Sequence, residues 1–381
     1  MKTLFSKPEN PFVTIGYVSP ELFCDREIET KNILKSIENG RNLTLISLRR
    51  MGKTGLIQHV FHPDVNKNKY QCYYVDLYST QNMNDFILEF AKAVIGTIDT
   101  TSQRLVKRVL SFFRSIRPVL VLDPHSGTPK LTIEIDGAGQ SRAGLDEIFS
   151  YLNTSKKPVV IAFDEFQQIS EYPEGNVEAV LRTYVQKYNN IRFIFSGSKK
   201  HVLQTMFQSP ARPFYTMSEM MYLEAIPKDS YVNFAKRILK AHRKRVEKGL
   251  IEFIYDRFEG HTWYVQYTLN RLFERSPRIY TMPTLERVFE LILWENTPAF
   301  QSFRDLLTPL QYAVLRAIAK EEKVQNPTGF EFILKHKLGA TSSVGNAVKA
   351  LVDKDVLQFE NGVYSVSNRL LAMWMTQVYN R

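Results

Sequence analysis

One short segment carries the residue types that bind phosphate. The stretch Ser47-Leu48-Arg49-Arg50-Met51-Gly52-Lys53-Thr54-Gly55 follows an apolar run and precedes a segment of helical character. In a loop that opens a helix, backbone N–H groups converge on an anion and the helix dipole favours negative charge. There Gly52 lets the backbone approach closely, Lys53 reaches the β- and γ-phosphates, and Thr54 places its hydroxyl on Mg²⁺. The segment predicts a P-loop, with Ser47 where the pattern has its first glycine.

A second segment places two carboxylates directly after a predicted strand. Residues 158–163 are apolar, and Asp164 and Glu165 follow them. Adjacent carboxylates at the edge of a sheet are costly unless a cation lies in front of them. We expect Asp164 to hold Mg²⁺, directly or through water, and Glu165 to polarise the attacking water. A helix cap by Asp164 is the structural alternative, but it explains only one of the two acids.

A third apolar run, residues 191–195, ends in Ser196, Gly197 and Ser198. Because the carboxyl ends of parallel strands line the ligand crevice of an open α/β sheet, Ser196 or Ser198 could sense the γ-phosphate or position water. A strand-to-helix turn capped by a serine is an equally good interpretation. The three segments together predict a site for ATP or ADP with Mg²⁺.

The elements that must position these residues alternate along the chain. Short apolar runs are separated by amphipathic stretches, which is the pattern of βα units and a mainly parallel sheet. The fold class predicted is therefore α/β, with a doubly wound P-loop domain. The candidate buried strands are residues 42–47, 70–77, 158–164, 191–196 and 220–225.

The predicted domain division has three parts. Residues 1–226 form the P-loop core, with a β-hairpin inserted near residues 117–137 and a hinge behind it. Residues 227–300 form a helical lid, and residues 301–381 form a winged helix whose hairpin has Asn361-Gly362 at its tip. The three helices predicted for the winged helix are residues 306–320, 330–337 and 342–354.

Composition excludes several classes of protein. Only two cysteines occur, Cys24 and Cys72, and the histidines are scattered, so neither a disulfide framework nor a zinc cluster is expected. No apolar stretch approaches the roughly 18 residues that a membrane span requires, and the first residues do not form a signal peptide. We therefore expect a cytoplasmic protein without a membrane partner.

The net charge of +11 is compatible with a polyanionic partner such as nucleic acid but does not require one. The densest basic run, residues 236–245, is predicted to be helical, with its charges exposed to solvent. In the winged helix, the third predicted helix offers only Asn346 and Lys349 to base edges, and the wing tip carries Glu360. We therefore expect this domain to regulate the rest of the chain more than to read a DNA sequence.

The segments resemble those of the archaeal-type ATPases, an AAA-like branch of the STAND class of P-loop proteins with members in archaea and bacteria. Residues 48–54 resemble the family's Pro-Arg-Arg-x-Gly-Lys-Thr loop, with Leu48 in place of proline. Residues 22–29 are similar to its opening Phe-x-Gly-Arg-Glu-x-Glu segment, with Asp25 where glycine is usual. The likeness extends over nearly the whole chain, up to a closing helix near residues 367–375.

Two further pieces of the resemblance name candidate residues. Residues 259–266 are similar to the Gly-His-Pro plus aromatics motif that opens a lid helix, with Thr262 in place of proline. His261 is there a candidate nucleotide contact, with a capping or core histidine as the alternative. Residues 209–215 resemble the segment before the fifth strand, and they contain Arg212 between two prolines. Arg212 could act as an arginine finger, with a surface arginine as the alternative.

The resemblance implies ATP binding and slow hydrolysis to ADP and phosphate, used as a switch. It leaves the partner unidentified: another protein, a second copy of this chain, or DNA bound through the winged helix. A protein that binds nucleotide only for stability is a further alternative. The intact Lys53, Asp164 and Glu165 argue against it.

Overall fold

The structure is a computed structural model that describes residues 9–96, 113, 115–122, 129–135, 141–275 and 278–379. It divides into two compact units, the first formed by Met1–Ala235 with Glu259–Gln266 and the second by Lys236–Phe258 with Tyr267–Arg381. The three-part division at residues 226 and 300 stays a prediction. Within the described ranges, no helix combines the length and apolar character that a membrane crossing needs.

A parallel sheet of five strands forms the centre of the first unit. The strands of this unit are β1 (Leu43–Ile46), β2 (Gln71–Asp76), β3 (Ile116–Leu122), β4 (Pro129–Ile135), β5 (Val159–Asp164), β6 (Ile191–Gly197) and β7 (Glu219–Tyr222). The order in the sheet is β2-β5-β6-β1-β7, and every neighbouring pair is parallel. Because β6 lies between β1 and β5, the three segments predicted to carry chemistry leave the same edge of the sheet side by side.

Helices of the first unit connect these strands. They are α1 (Glu27–Glu38), α2 (Lys53–Phe61), α3 (Pro63–Asn66), α4 (Met83–Ile95), α5 (Ser141–Asn153), α6 (Val177–Lys187) and α7 (Lys200–Gln208), with short 3₁₀ helices at Pro20–Leu22 and Phe166–Glu171. The sheet is covered on both faces. Val159, Ile161 and Phe163 of β5 pack in one buried apolar cluster, whereas Val160 and Ala162 pack in the other. This alternation explains why β5 reads as a continuous apolar run, and it confirms the predicted α/β class.

The predicted sheet strands are confirmed, with small differences in length. The last one ends at Tyr222 and not at residue 225, because its sheet partner β1 ends at Ile46, which lies opposite Tyr222. The predicted hairpin insertion is also confirmed, since β3 and β4 pair antiparallel from Ile116 with Ile135 to Leu122 with Pro129. Its turn and the first four residues of the hinge predicted at residues 137–141 lie outside the described residues, and Ser141 begins α5.

The described part of the second unit contains further helices and four short strands. Helices α8 (Lys228–Ala241) and α10 (Thr262–Arg275) include residues of both units, and the following elements belong to the second unit alone. They are β8 (Arg245–Val246), α9 (Leu250–Arg257), β9 (Ile279–Tyr280), α11 (Met282–Gln301), α12 (Phe303–Leu306), α13 (Pro309–Glu321), α14 (Phe330–His336), α15 (Thr341–Asp353), β10 (Leu357–Glu360), β11 (Val363–Val366) and α16 (Arg369–Tyr379).

Two predictions for the helical segment were wrong. The basic run at residues 236–245 is not one helix, because α8 ends at Ala241 and Arg243 has a left-handed backbone with φ 56°. The segment is not purely helical either, since β8 and β9 form a parallel pair. Ile238 and Leu239 are buried, as predicted.

The winged helix is confirmed. Helices α13, α14 and α15 are followed by the antiparallel hairpin of β10 and β11, whose two-residue loop has φ 51° at Asn361 and 80° at Gly362. Such left-handed angles suit an Asn-Gly pair. Helix α13 starts at Pro309, later than predicted, because Thr308 and Gln311 form a capping box.

Candidate active site

The predicted phosphate-binding loop lies between a strand and a helix. It joins β1 to α2, which begins at Lys53. Gly52 has φ 92° and a Cβ added there would meet no atom within 4 Å, so the backbone conformation, and not crowding, requires the glycine. Arg50 also has a left-handed backbone, with φ 67°. Ser47 is buried, and its hydroxyl donates to the carbonyl of Leu48 at 2.9 Å.

Lys53 is a buried cation that faces two carboxylates. Its side chain is almost fully inaccessible, and Nζ donates to the carbonyl oxygen of Ser47 at 3.4 Å. Burial lowers the pKa of Lys53, whereas the negative charges of Glu165 and Asp164 act to raise it. An anion bound in the loop would favour the charged ammonium further, so this lysine is suited to hold phosphate.

Asp164 is the centre of a buried hydrogen-bond network. Its Oδ2 accepts from the Thr54 hydroxyl at 2.8 Å and from the Tyr74 hydroxyl at 2.6 Å, and its Oδ1 accepts from the Ser196 hydroxyl at 2.5 Å. Burial, followed by the charge of Asp164, raises the pKa of Tyr74, so the phenol stays a donor. The ends of β5 and β6, the start of α2 and strand β2 thus meet at one carboxylate.

Glu165 is held in place by neighbours on two segments. Its Oε2 accepts from the Ser198 hydroxyl at 2.8 Å, the Ser198 amide at 3.3 Å and the Gln167 side-chain amide at 2.5 Å. The Nε of Arg49 lies 3.4 Å from the Ser198 hydroxyl. A Cβ at Gly197 would overlap the side-chain oxygen of Gln167, so the glycine makes room for this arrangement. The carboxylate therefore has a fixed orientation.

A cavity of about 490 Å³ opens in front of the loop. Its lining includes the loop residues 49–55, Glu165, part of the segment 13–26 and Trp263, all of the first unit. The volume lies within the range of small-molecule sites. Five of the predicted site residues, Ser47, Leu48, Asp164, Ser196 and His261, do not line it.

One wall of the cavity is aromatic, and the contacts within it were not predicted from the sequence. Phe23 stacks on His59 with ring centroids 4.3 Å apart, and the Tyr17 hydroxyl lies 2.9 Å from Nδ1 of His59. A Cβ added at Gly55 of the loop would lie 3.4 Å from the Phe23 ring. Burial lowers the pKa of His59 to about 4 and raises the pKa of Tyr17 to about 12, so both are uncharged near neutral pH. This wall offers an uncharged surface to a flat ring.

Arg26 ties the loop to the segment behind β7. Its buried guanidinium donates to the carbonyl of Met51 at 3.3 Å and to that of Glu224 at 2.7 Å, and it pairs with Glu29 at 2.6 Å. Asp25 and Arg26 both have a left-handed backbone, with φ 54° and 69°. The family's usual glycine at the position of Asp25 is thus explained by backbone conformation.

The first turn of α10 is bound to the loop. The backbone N–H of Trp263 donates to the carbonyl of Arg50 at 3.0 Å, and its indole N–H donates to Thr14 at 3.1 Å. The guanidinium of Arg50 lies over the rings of Trp263 and Tyr264, 4.4 and 4.7 Å from their centroids. His261 is buried, and its carbonyl accepts the amide of Tyr264 at 3.0 Å. A nucleotide contact by His261 stays a prediction.

Arg212 forms an ion pair with Glu178 of α6. We expect Arg212→Ala to leave ATP hydrolysis unchanged, because the guanidinium is already engaged, and to destabilise the fold by about 1–2 kcal/mol. The side chain of Glu178 is only 11% exposed, but the partly exposed guanidinium is screened by solvent, which limits the loss. Urea unfolding should show this loss in the free energy of unfolding. As a control, Arg182→Ala, at an exposed position of the same helix, should change that free energy little. Loss of hydrolysis at unchanged ATP affinity would instead identify Arg212 as an arginine finger.

Two family models match the chain. The model described as "ATPase domain predominantly from Archaea" matches residues 23–268, and the model described as "Probable winged helix domain" matches residues 298–377. The first covers the loop, both carboxylates and Trp263. No curated protein matches the chain.

Solved structures share the fold. A Walker-type ATPase of Pyrococcus abyssi is similar at 18% identity and a TM-score of 0.64, covering 96% of this chain and 99% of its own. The ORC2 protein of Aeropyrum pernix, in ADPNP–ADP complexes, has 13% identity and a TM-score of 0.59 over 98% of this chain and 96% of its own. The ORC1 protein of the same organism, in complex with DNA, has 10% identity and a TM-score of 0.53 over 94% of each chain.

Proposed function

Since the chain belongs to the ATPase domain family found predominantly in Archaea, we propose that it binds ATP with Mg²⁺, hydrolyses it slowly and uses the bound nucleotide as a switch of the STAND class. The observation that carries the proposal is the meeting of the loop and the strand end. The Thr54 hydroxyl lies 2.8 Å from Asp164, while Lys53 and Glu165 face the same cavity.

The residues present fit a nucleotide-bound Mg²⁺. Thr54 and Asp164 offer a hydroxyl and a carboxylate oxygen at one point, and Mg²⁺ prefers oxygen ligands, with one or two protein groups completed by phosphates and water. When bound, the ion neutralises charge on the β- and γ-phosphates. Tyr74 and Ser196 orient the carboxylate of Asp164 through their hydroxyl groups.

The remaining groups bind the nucleotide and accept a proton. Lys53 holds the terminal phosphates, and the aromatic wall of Tyr17 and Phe23 takes the base. Glu165 lines the cavity and accepts the proton of the attacking water. Ser198 and Gln167 fix the carboxylate of Glu165 by hydrogen bonds, so the base keeps one orientation before the nucleotide arrives.

Trp263 offers a direct test of the switch. Its ring lies against the guanidinium of Arg50 and its backbone N–H donates to the Arg50 carbonyl, so a change in the loop on nucleotide binding would alter the surroundings of the indole. We expect a non-hydrolysable ATP analogue and ADP to give different tryptophan emission spectra. The difference should vanish in Trp263→Phe, which keeps the remaining tryptophans, Trp294 and Trp374. Identical spectra for the two nucleotides at saturation would contradict a switch that acts through this turn.

A second candidate function is that of an ATP-dependent DNA-binding regulator. It is supported by the net charge of +11 and by the fold shared with an ORC1 protein solved with DNA. The groups that α15 offers to bases, Asn346 and Lys349, are few, which favours the regulatory role of the winged helix. The first proposal, of an ATP-driven switch, also includes a cytoplasmic location and either a protein partner or self-association.

A further inference from the structure

The winged helix contains a basic pocket that the sequence motifs do not mark. It has a volume of about 320 Å³ and is lined by α13, α14, the residue after α14 and α16. Its floor is apolar, since Ala317 and Met375 are buried. Its rim carries a set of side chains that can all be cationic: Arg316, Lys320, Lys335, His336 and Lys337.

The charge of this pocket is only partly balanced. Glu321, at the end of α13, pairs with Lys335 at 2.6 Å and with His336 at 3.0 Å. The hydrogen bond from Lys335 holds the pKa of Glu321 below its usual value, so the carboxylate stays ionised. Lys320 and Lys337 form no ion pair with a described residue, so two permanent cations of the pocket stand beside the Glu321 cluster without a carboxylate partner there. In a concave site, walls of low dielectric concentrate such a field on an entering anion.

The residue types in the pocket favour phosphate groups over base edges as the ligand. Lysine and arginine bind phosphate without sequence information, whereas base edges are read by well-placed Asn, Gln or Arg groups in a groove. None of the pocket's lining residues is an Asn or Gln. No residue of the presumed recognition helix α15 or of the wing lines it either.

We propose that this pocket binds phosphate groups of a nucleic-acid backbone, independently of base sequence. Cations spread over α13, α14 and the residue after α14 match an extended chain of phosphates better than a single ion. Nucleic acid would then contact the winged helix through α13, α14 and α16, and the sequence-reading surface would not be required. The inference does not depend on ATP binding, and it is tested without nucleotide.

The test compares two double variants of the full chain with the same change in charge. Lys320→Glu/Lys337→Glu reverses two exposed lysines of the pocket, and Lys349→Glu/Lys354→Glu reverses two exposed lysines of α15 and its C-cap. Binding of a fluorescent duplex of random sequence is followed by anisotropy across a salt series. We expect the pocket variant to lose about tenfold in affinity and to lower the salt slope by about 2, roughly one for each phosphate contact.

The control decides the outcome. The α15 variant should keep most of the parent's affinity, because its lysines lie outside the pocket, and since long-range charge effects are equal in the two variants, their difference reports contacts in the pocket. The proposal would be overturned if the two variants lost the same DNA affinity or if the α15 variant lost more. It would also be overturned if the parent bound neither DNA nor oligophosphate. A second arm uses calorimetry with tripolyphosphate in chains carrying Lys53→Ala, which removes the P-loop cation. If the chain with an intact pocket bound tripolyphosphate but not DNA, and the pocket variant lost this binding, the pocket would still be a phosphate site. Its ligand would then be a free oligophosphate.

Discussion

Replacing Lys53 by alanine should abolish measurable ATP binding, with an affinity loss of at least about a hundredfold, or roughly 2.7 kcal/mol. The ammonium is buried in the loop, where solvent screens it little, and it is the cation on which the β- and γ-phosphates depend. Truncation of one partner of a buried charge pair costs about 2–5 kcal/mol. Isothermal titration calorimetry with Mg·ATP measures the loss directly.

The fold of this variant provides the control. Without ligand, burial lowers the pKa of Lys53, which means that the protein environment disfavours its charge. The unliganded variant should therefore melt at the same temperature as the parent or higher, while the stabilisation by ATP disappears. Lys69→Ala, which removes an exposed lysine that pairs with Glu38, should keep full ATP affinity. Unchanged affinity in Lys53→Ala would refute the P-loop assignment.

Glu165→Gln should separate binding from hydrolysis. ATP affinity with Mg²⁺ should survive, because the amide keeps the shape of the side chain and can still accept a hydrogen bond from Ser198. Hydrolysis should fall by about 10²–10⁴-fold, since an amide does not accept the proton of the attacking water. Steady-state phosphate release, measured at saturating ATP, reports this loss.

Glu171→Gln is a matched control for that variant. Glu171 is the last residue of the 3₁₀ helix Phe166–Glu171, which Glu165 precedes as the N-cap. The carboxylate of Glu171 pairs with Lys199. The same acid-to-amide change there should leave turnover close to that of the parent. If Glu165→Gln turned over as fast as the parent, Glu165 would not be the base.

The strands and the loop could be predicted because burial on both sides leaves a signal in consecutive residues. Every residue of β5 is buried, so the strand reads as one apolar run that stops at Asp164. The loop was equally visible, since Gly52, Lys53 and Thr54 are adjacent in sequence. A site whose residues are adjacent along the chain can be predicted from the sequence.

Contacts that depend on strand order were not predictable in this way. Tyr74 bonds to Asp164, 90 residues away in the sequence, because β2 lies beside β5 in the sheet. The sequence of β2 does not indicate which strand lies beside it. Likewise, Arg26 meets the carbonyl of Glu224 only in the folded chain. Two-residue strands such as β8 and β9 are too short to show any period.

We propose that Lys53, Asp164 and Glu165 form a site that hydrolyses ATP. The most direct measurement is single-turnover release of phosphate from Mg·ATP by the parent, Lys53→Ala and Glu165→Gln, with bound nucleotide followed in parallel. We expect release by the parent, neither binding nor release by Lys53→Ala, and binding without comparable release by Glu165→Gln. Bound ATP that the parent never cleaves, or equal release by the parent and Glu165→Gln, would contradict it.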